Sequence, residues 1–167
     1  MKTLKISIIL IAISASTIAK AQFTKAEVQV SGLTCSMCSK ATEKSLRTLN
    51  FIGDIKADLN KNVFVITFKK ETSVDLLLIS KKIQDAGFFV NNLKATFDFD
   101  NVKVNDNSFS YGGNTYQVVN GNNTKSFSGA VVFTVVDKDF APASIYKKYK
   151  PTEIATSGPG HVYHIII

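Results

Sequence analysis

Between Glu27 and Phe99 the apolar residues change spacing from every second position to every third or fourth and back again, twice over. No other feature of the chain restricts the fold as much, because a period of 2 builds a strand and a period of 3.6 builds a helix. Glu27-Val28-Gln29-Val30 alternates polar and apolar, as a half-buried strand does. Cys38, Ala41, Thr42, Ser45, Leu46 and Leu49 then recur at helical spacing, with Lys40, Glu43, Lys44 and Arg47 on the other face. Residues 52–59 alternate again, Asn60-Lys61-Asn62 supply turn residues, and residues 63–68 are rich in β-branched and aromatic side chains, which together predict a hairpin. Thr72-Ser73-Val74-Asp75 has capping-box character, and Leu76, Ile79, Ile83 and Ala86 follow at helical spacing. Gly87 stands where a helix C-cap glycine belongs, and residues 88–99 form a last strand. The order β-α-β-β-α-β predicts an α+β, ferredoxin-like domain over residues 22–99, with both helices on one face of an antiparallel sheet.

Composition shifts near Asp100. From there the chain is rich in Asn, Gly, Val, Phe and Tyr and carries no cysteine, which predicts a second unit over residues 100–167. Short strands are expected at residues 102–104, 108–111, 115–119, 130–136 and 162–167, with turn signals at Gly112-Gly113 and Asn120-Gly121. Residues 146–150 form one short helix or an irregular connection. The expectation is a small β-rich domain, a barrel or a sandwich, of unassigned role.

The first 21 residues read as a secretory signal peptide. Lys2 and Lys5 make a positive start, residues 6–18 are apolar, and Ala19-Lys20-Ala21 offers a small-residue cleavage site. Thirteen apolar residues fall short of the roughly 20 that span a bilayer. The mature chain is expected to begin at Gln22, to be periplasmic or secreted, and to make no stable membrane insertion. Cleavage removes Lys2, Lys5 and Lys20, so the formal net charge falls from +7 to +4. An exported chain of such mild charge is not expected to bind nucleic acid.

The only two cysteines of the chain stand in Gly32-Leu33-Thr34-Cys35-Ser36-Met37-Cys38. The predicted helix starts inside this stretch, so both sulfurs converge on one point and the helix N-terminus favours thiolate over thiol. Three chemistries fit. A disulfide closing so short a loop removes little entropy from the unfolded chain and is a poor staple. A redox-active dithiol also sits at a helix start, and a periplasmic thiol-disulfide oxidoreductase is the alternative function. Two soft thiolates suit a labile soft ion such as Cu(I), whereas structural zinc wants about four protein ligands. The strand-helix order and the lack of tryptophan and proline around the motif weigh against the redox reading.

Over about residues 26–98 the chain resembles the heavy-metal-associated domain family, found in copper chaperones, copper-transport ATPase modules and the periplasmic mercury-binding protein. The G-M-T-C-x-x-C loop of that family corresponds to residues 32–38, its first strand to residues 28–30 and its long first helix to residues 36–49. The resemblance implies that Cys35 and Cys38 are the metal ligands, that the cargo is a soft ion, most plausibly Cu(I) with Hg(II) as another thiophilic candidate, and that the partner is a metal-donor or metal-acceptor protein such as a metal transporter. Leu33 replaces the usual methionine as a core plug, a swap that preserves volume. Phe88 matches an aromatic that the family often places near the metal loop.

Other candidates are weaker. Met37, between the two cysteines, is expected to face solvent. His161 and His164 stand an odd number apart, so an extended strand puts them on opposite faces. Lys147, Lys148 and Lys150 read as a solvated face. No motif sets a base beside a nucleophile, and the protein is not expected to be an enzyme.

Overall fold

The computed structural model describes residues 22–99, 107–120, 127–149 and 160–167. The expected signal peptide, the expected strand at residues 102–104, Gly121 and Lys150 lie outside the described residues. Strand β1 (Gln22–Ser31) leads into helix α1 (Ser36–Leu46), the hairpin strands β2 (Ile52–Asp58) and β3 (Val63–Phe68), helix α2 (Leu76–Asp85) and strand β4 (Phe89–Asp98). These strands pair antiparallel in the order β2-β3-β1-β4, which with two helical crossovers is the ferredoxin-like arrangement. The helices lie side by side, the Ser45 hydroxyl donating to the Lys82 carbonyl at 2.8 Å, and they bury Leu46, Leu76, Ile79 and Ile83.

The β1–β4 ladder carries irregularities that shape the sheet. A register shift between Phe23 and Lys25 lets Phe23 oppose Phe97 while Ala26 opposes Ala95 and Val28 opposes Leu93, so all six side chains share one buried face. Without that bulge Phe23 would sit on the other face, because side chains alternate strictly along a regular strand.

Beyond β4 the chain adds β5 (Ser108–Tyr111), β6 (Asn114–Val118), β7 (Ala130–Val135), α3 (Ala143–Tyr149) and β8 (Val162–Ile166). The expectation of a separate barrel or sandwich is corrected here. The described strands form one eight-stranded sheet in the order β2-β3-β1-β4-β7-β8-β6-β5, because β7 pairs with the edge of β4 that a four-stranded sheet would leave open. Phe133 opposes Ala95 and Val135 opposes Leu93, so the buried face runs on without a break. The sheet also curls. The ring of Tyr111, on the last strand of the order, lies 5.2 Å from that of Phe23 on β1, and Phe97, Phe109, Tyr116 and Phe133 fill the space between. Bulges of the kind seen in β1 increase local twist and favour such closure. The physical reason for the correction is shared apolar surface: β1 and β4 supply the aromatics that β5, β6 and β7 need in order to bury their own.

Polar contacts also tie α2 and the segment before it to the added part of the chain. The Ser80 hydroxyl donates to the Asp139 carbonyl at 2.8 Å, and the Tyr111 hydroxyl donates to the Thr72 carbonyl at 3.2 Å.

Candidate metal centre

Strand β1 hands the chain to the cysteine loop at Gly32, whose φ of +88° is a left-handed conformation open to glycine at little cost. A side chain there would also meet Phe88, whose Cδ1 lies 3.4 Å from the place of a Cβ. Phe88 is held by the end of α2. Gly87, at φ +87°, donates to the Gln84 carbonyl at 2.8 Å, and the Phe88 N–H donates to the Ile83 carbonyl at 3.1 Å. That pair of bonds closes a helix through a left-handed glycine. Phe88 and Leu33 are both partly buried against the core, so the loop rests on an apolar seat from either side.

Cys35 is the N-cap of α1. Its backbone is extended (φ −151°, ψ 160°), and its Sγ accepts from the Cys38 N–H at 3.3 Å, taking up one of the donors that a helix start leaves unpaired. The Ser39 N–H donates to the Cys35 carbonyl at 3.2 Å and begins the helical ladder. Cys38 lies in the first turn, and the two Sγ atoms stand 2.7 Å apart with both cysteines free. The Cys38 thiol and then the Cys38 N–H hold the Cys35 thiol below its ordinary range. Cys38 is pushed up, chiefly by the same shared hydrogen bond. Cys35 therefore ionises first, and Cys38 keeps the proton between them.

The other candidates fall away from this point. Met37 is 70% exposed, as expected for a residue between two convergent thiols. His161 precedes β8, with its ring edge-on to Tyr163 at 4.5 Å. His164 is committed to Asp137, Nδ1 to Oδ1 at 2.6 Å, with its backbone N–H donating to Oδ2 at 2.8 Å. Lys148 lies over the Tyr149 ring at 5.1 Å. Among the described residues no group of three or more His, Cys, Asp or Glu side chains could hold an ion, so the dithiol has no protein ligand to add from that set. The buried stripe of α1 is rotated relative to the one expected: Ser39, Thr42 and Leu46 are buried, while Ala41 is exposed. Thr42 sits comfortably there because its hydroxyl donates to the Cys38 carbonyl at 3.0 Å. Sequence reasoning missed Ser39, although it stands four residues after Cys35 and so on the same side of the helix.

Leu33, Thr34, Cys35, Ser36, Ser39, Leu59 and Asn62 line a half-open hollow of about 200 Å³ at the cysteine loop. Asn62 reaches it from the β2–β3 turn, where its own carbonyl accepts from the Val30 N–H at 2.9 Å.

Two soft sulfurs, one of them readily ionised and both within reach of solvent, suit a thiophilic ion that must be picked up and given away. The architecture is thus a ferredoxin-like α+β sheet that presents a dithiol at a helix start. Residues 27–89 match the model of the heavy-metal-associated domain. Among solved structures it is similar to a CopZ metallochaperone (19% identity over 40% of this chain and 98% of that one, TM-score 0.38). It is also similar to a copper-binding domain from HMA7, a P-type ATPase (31%, 39% and 86%, TM-score 0.36), and to the yeast copper transporter domain CCC2A (29%, 39% and 88%, TM-score 0.36). No curated protein matches the chain.

Proposed function

We propose that this protein is an exported carrier that holds one soft ion, Cu(I) ahead of Hg(II), between the Cys35 and Cys38 thiolates and passes it to the thiolates of a donor or acceptor such as a metal transporter. The observation that carries the reading is the convergence of two free sulfurs at the start of α1, one of them favoured as thiolate. A two-sulfur donor set exposed at a loop leaves room for incoming thiolates, so the ion can change hands by exchange of one sulfur for another. The first 21 residues support export with a mature chain from Gln22, and mass measurement of the exported protein checks that start.

Cu(I) titration against a chromophoric competitor tests the site. The parent should bind one ion per chain, and Cys35→Ser and Cys38→Ser should each lose most of the affinity. Serine variants that keep the parent's affinity and stoichiometry would place the site elsewhere.

The depressed Cys35 thiol also fits a thiol-disulfide oxidoreductase. That reading requires turnover by metal-free protein and a reduction potential of about −270 to −120 mV. Robust disulfide reduction without metal would decide for it.

A further inference from the structure

One polar group beside the thiols has no partner. Ser39 is 4% exposed, its Oγ is sealed from solvent, and that atom makes no hydrogen bond to any described residue. A buried hydroxyl is normally paired, and an orphan next to a functional group calls for an explanation. Ser39 borders the same hollow as Cys35 and follows it by one helical turn. The neighbouring hydroxyls need no such account: Thr42 donates to the Cys38 carbonyl, and Ser36 is exposed.

Ionisation is what gives the hydroxyl a partner: the thiolate is the form that binds metal, and a charged sulfur accepts a hydrogen bond more strongly than a thiol does. Cys38 is fixed within the first turn of α1, while Cys35 lies on the extended residue before it and borders the hollow.

Resting on the two-thiolate reading above, we propose that Ser39 is a positioning residue for the metal site: in the loaded protein its hydroxyl donates to the Cys35 thiolate, orienting that sulfur and easing its negative charge. Groups that hydrogen-bond a metal ligand set its direction and basicity, and their loss typically lowers metal affinity by about 10- to 100-fold.

The test uses the chain from Gln22 onward as parent, Ser39→Ala and Ser36→Ala. Cu(I) affinity and release are followed with a chromophoric competitor, the sulfur-to-metal absorption band is recorded with Hg(II), and metal-free stability is measured in urea. Ser39→Ala should bind Cu(I) about tenfold more weakly and release it faster. Its metal-free form should be as stable as the parent or more so, since an unpaired buried hydroxyl has gone. Its Hg(II) band should move to lower energy as the thiolate loses a donor. Ser36→Ala should match the parent. If Ser39→Ala binds within about twofold of the parent with an unmoved band, or if Ser36→Ala loses as much, the Ser39 assignment is overturned while the two-thiolate site stands. If the parent binds no Cu(I), the two-thiolate reading fails and takes this one with it.

Discussion

The buried hydroxyl of Tyr163 on β8 donates to Asp75 Oδ1 at 3.2 Å, joining the last strand to the N-cap of α2 across 88 residues of sequence. The same hydroxyl accepts from the Leu77 N–H at 3.1 Å, and Asp75 Oδ1 accepts from that N–H at 2.9 Å, so strand, cap and helix start form one closed set. Tyr163→Phe should cost about 1.5–3 kcal/mol in urea unfolding, the usual worth of a hydrogen bond to a charged group. Asp75→Ala also removes the cap and should cost about 2–3 kcal/mol. The double variant should fall short of the sum, since the two residues share partners.

Cutting the chain to residues 22–99 should do more damage than a domain boundary there would suggest. The truncation takes Phe109, Tyr111, Tyr116 and Phe133 away from Phe23, Phe97 and Phe99 and bares the edge of β4. Each large side chain re-exposed costs about 1.5–3 kcal/mol, against a total stability of about 5–15 kcal/mol. The fragment should elute as aggregate or show the poor spectral dispersion of a loosely packed chain. A well-dispersed monomer with the parent's urea midpoint would contradict this.

The dithiol should be chemically unequal. Cys35 has its proton affinity lowered, so its thiolate forms at lower pH than that of an ordinary thiol and is lost only as pH falls through that depressed value. Iodoacetamide should therefore modify Cys35 before Cys38 at neutral pH, as peptide mass mapping would show. In Cys38→Ala the main donor to Cys35 is gone, and the pH midpoint of Cys35 alkylation should rise. Equal labelling of both thiols in the parent would count against the shared hydrogen bond.

Gly32→Ala probes the seat of the loop. A non-glycine residue at φ +88° is strained by roughly 1–2 kcal/mol, and the new methyl group touches Phe88 at 3.4 Å. Thermal unfolding should show a loss of that order, together with weaker Cu(I) binding as the cysteines shift. Gly87→Ala shares the strain but meets nothing within 4 Å, so it should lose stability with less effect on the metal.

The elements of residues 26–98 were legible because local signals agreed with each other. The Asp75 cap, the Gly87 stop and the alternation through Val28 and Val30 each pointed to the structure found. Ser108–Tyr111 was equally plain, followed as it is by two left-handed glycines. Pairing was not legible: alternation marks Ala130–Val135 as a strand but does not say that its partner is β4, and the parallel β6–β8 ladder joins segments far apart in sequence. At the site the cysteine pair was plain, while Ser39 was hidden by a helix stripe drawn through Cys38 and Ala41. A small polar residue on a buried face gives no apolar signal to find it by.

The position of β8 has a consequence in time. It follows every other described strand in the chain, yet it lies between β7 and β6 and not at an edge. While residues 22–161 emerge, β6 and β5 have no sheet to join, and the aromatic rings gathered around Phe97 have no complete enclosure. Pairings between distant segments form slowly. The β5–β6 hairpin therefore joins the described sheet only once residues 162–166 are in place, while β2, β3, β1, β4 and β7 can pair before them.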